Sequence, residues 1–289
     1  MHYKIILTFL HLACFVIGTS QAIDETIAVK VLEDRSKSSG IVLVSVPAGT
    51  FSMGSPVSEL KRMDHEKQHD VTITKGFFIG RDEVTIGQFE AVIGAEFPDK
   101  SKLLRQVTKD SSIMRVNWFE AIDFCNKLSE ADGLKPFYRV LDIGKKLPSI
   151  ELIDGADGYC LPSEAQWEYA CRGSTTTAYS FGDDIDHDKV QYFQIQRDFW
   201  RVRRADQGEL NAFGVRNMHG NVEEWCWDWY GDYPTAEVID PIGPEVGERR
   251  VIRGGDWLGP KEVCRSASRN SKEPWLTNPS IGFRIAKPL

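Results

Sequence analysis

The second half of the chain, from about residue 175, lacks the three-to-four-residue spacing of apolar side chains that marks an amphipathic helix. Trp, Tyr, Gly, Asn and Asp dominate there, and residues 225–230 read Trp-Cys-Trp-Asp-Trp-Tyr. Because few aliphatic strands remain to build a core, indole rings must supply much of its volume. Architectures of this kind commonly need bound ions or disulfides to fix them. The pattern predicts an irregular, loop-rich half that contains strands and no long helix.

The first half contains three helix starts that share one local device. In each, Thr, Asn or Ser is followed three residues later by Gln or Glu, the capping-box pattern in which both side chains satisfy free backbone N–H groups. Strands are predicted over 41–46 and, from alternation of apolar and polar residues, over 71–74. No internal repeat or break in composition separates a second domain, so we expect one α+β domain. The three capping pairs are Thr85/Gln88, Asn117/Glu120 and Ser163/Gln166.

The N-terminus predicts export. Lys4 precedes an apolar run over 5–15, which is too short to span a bilayer, and Ser20-x-Ala22 fits a signal-peptidase site. We therefore expect residues 1–22 to be a signal peptide, a periplasmic or secreted product, and no membrane span after cleavage. The polar segment 23–40 is typical of a linker, and the folded domain is expected over 41–288.

Cysteine usage fits an exported protein. An oxidising compartment favours disulfides, but an odd number of cysteines leaves at least one thiol free or intermolecular. There is no Cys-x-x-Cys pair and no spacing typical of a zinc site. The five cysteines beyond the predicted cleavage site are Cys125, Cys160, Cys171, Cys226 and Cys264.

The charge balance limits the class of partner. The chain has 35 Lys and Arg against 42 Asp and Glu, a formal net charge of −7, whereas a nucleic-acid-binding protein needs a basic face. No Gly-x-Ser-x-Gly, phosphate-loop or dinucleotide-binding motif occurs. The sequence therefore does not support a nucleic-acid partner or any of these enzyme classes.

Five motifs occur in the order that one known family shows. They are 46–55 (Val-Pro-Ala-Gly-Thr-Phe-Ser-Met-Gly-Ser), 161–170 (Leu-Pro-Ser-Glu-Ala-Gln-Trp-Glu-Tyr-Ala), 217–225 (Asn-Met-His-Gly-Asn-Val-Glu-Glu-Trp), 253–257 (Arg-Gly-Gly-Asp-Trp) and 282–284 (Gly-Phe-Arg). In this pattern the chain resembles the formylglycine-generating enzymes, also called sulfatase-modifying factors, over roughly 41–286. The resemblance implies a single loop-rich domain related to the C-type lectin fold.

The best-known members of that family convert a sulfatase cysteine to formylglycine with O2 and a copper(I) ion held between two cysteines. Soft copper(I) favours paired thiolates. Counting forward from the Gly-Gly block places those positions on Gly259 and Cys264, so at most one thiol is present and we do not expect copper. If chemistry remains, the resemblance makes Cys264 the candidate catalytic residue, with Asp256, Trp257 and Arg269 in or beside its pocket.

Two further departures from the family lie close to these positions. Asp256 stands where the family usually has Ser, and Glu223 stands where a Trp usually precedes Glu224. Both changes introduce a carboxylate.

The resemblance also implies disulfides from Cys125 and Cys171 to positions near the C-terminus that are not cysteines here. The partner position of Cys171 is Ser266, two residues beyond Cys264. Cys264 is therefore expected to be a half-cystine bridged to Cys171 or Cys226, and a shifted Cys171–Cys264 bridge is geometrically plausible.

A structural calcium site is the family feature that the chain retains best. The resemblance assigns its ligands to Asn217 and Glu224 side chains and to the backbone carbonyls of Gly220 and Val222. Hard oxygen ligands from a short glycine-containing loop suit Ca²⁺. The alternative is a plain turn before a buried Trp-containing strand.

Two functions remain open. One is an exported oxidase or maturation factor, acting on a peptide or peptide-derived substrate without the two-cysteine copper centre. The other is a non-catalytic, calcium-stabilised binding or accessory module for a partner protein or glycan. A free Cys264 thiol of low pKa would favour the oxidase, and a bridged one the module.

Overall fold

The computed structural model describes residues 31–96, 107–142, 148–186, 188–193 and 202–289. The predicted signal peptide lies outside these ranges, as do residues 23–30 of the predicted linker. Residues 31–289 form one compact unit. No described helix is both long and apolar enough to cross a membrane. Its elements are β1 (Glu33–Arg35), β2 (Val42–Val46), β3 (Gly49–Met53), β4 (His69–Ile73), β5 (Phe77–Gly80), α1 (Ile86–Ile93), α2 (Trp118–Ala131), β6 (Tyr138–Leu141), β7 (Ser149–Leu152), α3 (Glu164–Arg172), β8 (Glu223–Trp229), β9 (Val238–Ile239), β10 (Arg250–Arg253), β11 (Arg269–Lys272), β12 (Ile281–Gly282) and β13 (Ala286–Pro288).

The strands form four small sheets. Two have four strands, in the orders β1-β2-β5-β13 and β11-β10-β8-β12, and the others are β3-β4-β9 and β6-β7. Pairing is antiparallel except between β8 and β12 and between β4 and β9. In the first sheet the C-terminal strand lies beside β5, with Ala286 opposite Ile79. The chain therefore closes its own first sheet only with its last strand.

All three predicted capping boxes are confirmed. Each of α1, α2 and α3 begins after the expected residue, whose side chain accepts from the N3 backbone while the N3 side chain accepts from the cap backbone. The signal is local, which is why sequence alone finds it. Among the described residues no α-helix follows α3, as the loss of helical spacing predicts. With strands before, between and after the helices, the α+β prediction holds.

Indole rings fill the core as predicted. Four of the largest fully buried side chains are Trp118, Trp167, Trp225 and Trp257. Two of them also anchor the backbone, since Trp118 Nε1 donates to the Cys226 carbonyl at 2.9 Å and Trp225 Nε1 donates to the Val116 carbonyl at 2.8 Å. These bonds tie the start of α2 to β8, so the aromatic half packs directly on the helical half.

Buried ion pairs, which the sequence does not reveal, hold distant segments together. Each joins an arginine to a carboxylate with little or no exposed surface, a costly arrangement unless every polar atom is satisfied. The Arg284 guanidinium donates to both oxygens of Glu224, at 2.6 and 2.7 Å, and also to the carbonyls of Gly80 and Arg216, both at 2.9 Å. The other such pairs are Arg172–Glu168, Arg253–Glu168, Arg265–Glu66 and Arg269–Glu164.

Part of the predicted linker 23–40 is a strand. Glu33–Arg35 form β1, in which Glu33 lies opposite Val44 and Arg35 opposite Val42. The segment is short and its side chains are mostly exposed, so it carries no apolar alternation for sequence analysis to detect. Long-range backbone pairing with β2, not side-chain burial, places it in the sheet.

Candidate functional site

Cys264 ends a 3-10 helix, Lys261–Cys264, that follows the Gly254-Gly255 loop after β10. The residue is fully buried and belongs to a small apolar cluster with Tyr179, Val190 and Tyr192. Gly255 has φ 69°, and a Cβ built there would lie 2.8 Å from Cys264 Sγ. Glycine is therefore required at 255 both for its backbone conformation and for the close approach of the thiol.

The environment of the Cys264 thiol disfavours ionisation. Burial raises its pKa well above the ordinary value, and the neighbouring carboxylates of Asp256, Glu223 and Glu262 raise it further. Because the thiolate, not the thiol, is the nucleophile and the metal ligand, Cys264 in this setting is not an activated residue.

The two family-departing acids come together beside Cys264. Asp256 Oδ2 accepts from Ser280 Oγ at 2.7 Å, and Oδ1 accepts from the backbone N–H groups of Leu258 and Gly259. Glu223 Oε1 accepts from Asn270 Nδ2 at 3.0 Å.

Burial, and then the Asp256 charge, raises the pKa of Glu223 to about 7. Sequence reasoning missed this pairing. The signal was present, since both positions replace a family residue with an acid.

The two other predicted pocket residues, Trp257 and Arg269, have contacts away from Cys264. Trp257 is 1% exposed and lies in the main core, where its indole Nε1 has no hydrogen-bond partner among the described residues. Arg269 forms two hydrogen bonds to Glu164 on α3, at 2.8 and 2.7 Å, and its guanidinium lies 3.8 Å from the Tyr233 ring centroid. Of the three, only Asp256 adjoins Cys264, and Arg269 is engaged in the buried ion-pair network.

The His219 ring bridges the backbone of Cys264 and the backbone of Ser180. Its Nδ1 lies 2.8 Å from the Cys264 carbonyl, and its Nε2 accepts from the Ser180 backbone N–H at 3.0 Å. Since a carbonyl only accepts and an amide only donates, the ring proton belongs on Nδ1. Burial lowers the pKa of His219 to about 4, so the ring is neutral and positions backbone.

All five described cysteines are free thiols in this structure. The expected bridge between Cys171 and Cys264 is not formed. Instead Cys171 Sγ lies 3.8 Å from the Met218 carbonyl and 3.7 Å from His219 Nε2, and it contacts Ser266. Ser266 is the partner position that the family resemblance implies, so the cysteine has kept its place while the serine has replaced its partner.

The predicted calcium ligands lie at one turn, but their polar atoms have other partners. Glu224 is fully buried, and besides its ion pair with Arg284 its Oε2 accepts from Trp167 Nε1 at 2.7 Å. Asn217 Nδ2 donates to Glu83 Oε2 and to the Ala205 carbonyl, each at 2.9 Å. The only carboxylate of the predicted set is thus already paired with a guanidinium and an indole N–H.

The remaining oxygen ligands of the predicted calcium set are the backbone carbonyls of Gly220 and Val222 and the Asn217 Oδ1 atom. Within the described ranges, no group of three or more His, Cys, Asp or Glu side chains has an arrangement that could hold a metal. The calcium site therefore stays a prediction from the resemblance.

A cavity of about 430 Å³ adjoins the 3-10 helix and is lined by Lys261 and Glu262 of that helix and by Arg265 after it. We call it the Glu262 pocket. Arg265 on its wall is already paired with Glu59 and Glu66, and Leu60 at its rim is 84% exposed. Its charged lining residues are Glu59, Lys61, Asp183, Asp184, Lys261, Glu262 and Arg265.

Comparison with known proteins agrees with this architecture. The sulfatase-modifying factor enzyme 1-like domain matches residues 29–289. The formylglycine-generating enzyme of Bos taurus is 27% identical over 285 residues, which cover 84% of this chain and 74% of that protein. The structure of Treponema denticola variable protein 1 superposes with a TM-score of 0.77 at 26% identity, covering 90% of this chain and 99% of that one.

A third relative is much longer than this chain. The serine/threonine-protein kinase pkn1 of Chlamydia caviae is 30% identical over 259 residues, which cover 85% of this chain but only 38% of the kinase. The order of motifs, the loop-rich α+β domain and the match across nearly all described residues lead to one conclusion: this chain belongs to the sulfatase-modifying factor family, the family of the formylglycine-generating enzymes.

Proposed function

We propose that this protein is a non-catalytic binding or accessory module built on the formylglycine-generating enzyme scaffold. The observation that carries the proposal is the state of Cys264: a fully buried, unbridged thiol whose pKa is held well above its ordinary value. Sulfur chemistry at this position would need an accessible thiolate.

Among the described residues, the side chains around Cys264 do not supply a second soft ligand. Counting forward from the Gly-Gly block puts the family's other copper position on Gly259, and the side chains that cluster with Cys264 are Ala178, Tyr179, Val190 and Tyr192. Copper(I) prefers thiolate and thioether sulfur, so this donor set does not fit the ion. We derive no oxidation step through copper.

The same domain occurs within a larger protein in the chlamydial kinase, where the matching region is 38% of the length. A domain that forms one part of a longer protein is suited to an accessory role. The partner that we propose is a protein, peptide or glycan that contacts the Glu262 pocket, where exposed Leu60 adjoins charged side chains of both signs. Export to the periplasm or beyond, through residues 1–22, belongs to this proposal.

A second function, an oxidase or maturation factor without copper, is favoured by one observation. Glu223 and Asp256 form a buried acid pair beside the family's active-site position, and paired carboxylates can carry general acid–base chemistry. Against it, each Asp256 oxygen already accepts a hydrogen bond. The two functions differ in whether a substrate is chemically changed.

The experiment that tests the loss of copper-dependent cysteine oxidation incubates the protein with a Cys-x-Pro-x-Arg peptide, copper and O2, and follows the peptide by mass. We expect the thiol mass to persist, while the bovine enzyme in the same buffer yields the aldehyde. A Gly259→Cys variant is the matched test of the missing ligand, because it places a thiol at the vacant copper position. Aldehyde formation by the unmodified protein would overturn the proposal.

A further inference from the structure

A second cavity, of about 520 Å³, shares no lining residue with the Glu262 pocket. We call it the Trp227 pocket. Its walls include the aromatic rings of Phe77, Phe137, Tyr138 and Trp227, with Tyr138 stacked on Trp227 at a centroid distance of 5.1 Å. Small-molecule sites typically occupy about 300–1,000 Å³ and are mostly apolar, so the size and lining suit a small ligand.

The rim of the Trp227 pocket leaves apolar side chains in water. Leu152 is 43% exposed, Ile242 51% and Leu289 65%, and all three line the cavity. An exposed apolar rim that leads to an aromatic wall is the arrangement expected where an apolar ligand enters.

Three side chains of this pocket have donor groups without a partner among the described residues. Lys75 Nζ, on the connection between β4 and β5, has neither an ion pair nor a hydrogen bond to any described residue. Gln166 uses its Oε1 in the α3 capping box and leaves its amide N–H groups unpaired within the described chain. Tyr138 Oη accepts from the Leu161 N–H at 2.8 Å, which leaves its own proton to donate.

The acceptors and the second cation of this pocket are already engaged. Asp240 accepts from both the backbone N–H and the hydroxyl of Thr74. Lys287 Nζ lies 2.6 Å from Asp34 Oδ2. Lys75 is therefore the cation of this pocket without a partner among the described residues, and with the neighbouring neutral donors it complements an anionic acceptor, while the Asp240 carboxylate is held by neutral groups of Thr74.

We infer that the Trp227 pocket binds a small amphipathic carboxylate, with its apolar body against the aromatic wall and its carboxylate at Lys75. The body is an acyl chain or an aromatic ring, which present the same apolar surface. This inference does not depend on the proposed function, because the two sites have no residue in common.

The test uses isothermal titration of the full chain with decanoate and with 3-phenylpropionate, each against its alcohol and amine analogues. We expect each carboxylate to bind more tightly than its alcohol and amine analogues. The carboxylate with the lower dissociation constant then shows whether the apolar body is an acyl chain or an aromatic ring. Lys75→Glu should weaken carboxylate binding about tenfold, because it removes an attraction and adds a repulsion that are each worth roughly 0.7 kcal/mol at an exposed site.

Ile242→Asp and Val246→Asp form a matched pair of variants. Ile242 lines the pocket, whereas Val246 is 82% exposed and does not. We expect Ile242→Asp to weaken binding and Val246→Asp to leave it unchanged. Equal affinity for the amine and the carboxylate, an unaltered dissociation constant in Lys75→Glu, or an equal loss in the two aspartate variants would each overturn the inference.

Discussion

Replacing Glu223 by glutamine tests the buried acid pair directly. Glu223 is 7% exposed, and burial with the Asp256 charge raises its pKa from 4.5 to about 7. Glutamine has the same shape and keeps an oxygen to accept from Asn270, but it cannot ionise. The substitution therefore removes the charge without opening a cavity.

The sign and size of the effect follow from the raised pKa. The unfolded carboxyl ionises above about pH 4.5, while the folded protein holds the proton until about pH 7. The stability that Glu223 contributes is therefore complete below pH 4.5 and is lost as the pH rises through 7. A shift of this size corresponds to about 3 kcal/mol, which for a chain of this size is a change in Tm of roughly 6–12 °C.

The assay compares Tm of the wild-type protein and Glu223→Gln at pH 5 and pH 8.5 by calorimetry. We expect nearly equal values at pH 5 and a variant that is more stable at pH 8.5. Glu245→Gln, at an exposed position, is the control and should change neither. A Tm difference that is the same at both pH values, or a variant less stable at pH 8.5, would refute the reasoning.

Three further predictions follow from the buried site. Arg284→Met leaves Glu224 without its cation and should lower the free energy of unfolding, measured in urea, by about 3–5 kcal/mol. Arg249→Met, at an exposed ion pair, is the control and should lower it by no more than about 1 kcal/mol. Equal losses in the two variants would contradict the role of burial. Ellman's reagent should modify none of the five described cysteines in the folded protein and all of them in denaturant, and a fast-reacting Cys264 would contradict its burial. Chelation with EGTA should leave Tm unchanged because the Glu224 oxygens already have partners, and a calcium-dependent rise in Tm would restore the predicted ion site.

Features set by neighbours in sequence were predictable. The capping boxes at Thr85, Asn117 and Ser163 each involve residues three apart, and all three form. The use of indole rings as core volume could also be inferred, because composition alone shows what is available to fill the interior. In both cases the physical cause lies within a few residues of its effect.

Features set by strand register were not predictable. Glu223 and Asp256 become neighbours because β8 and β10 pair with Glu224 opposite Arg253, and the register of that pair shifts between Arg250 and Ile252. No local pattern encodes such a bulge. The same limit hid β1, whose exposed residues carry no alternation.

The disulfide expectation was wrong for this structure for a related reason. Spacing along the sequence allowed Cys264 to replace Ser266 as the partner of Cys171. The Cys264 side chain, however, enters the apolar cluster under Gly255, while Ser266 retains the contact with Cys171. In an extended strand, side chains two residues apart point to the same side. Cys264 ends a 3-10 helix, so its side chain and that of Ser266 do not share a side.

The place of Arg284 in the chain has a consequence for biosynthesis. Its guanidinium joins segments near residues 80, 216 and 224, and β13 beyond it completes the first sheet. Until residue 284 has been synthesised and has left the ribosome, the polypeptide has neither contact, so Glu224 lacks its counter-charge. Such non-local pairing delays folding, so the segments near residues 80, 216 and 224 cannot take their native arrangement before Arg284 has reached them.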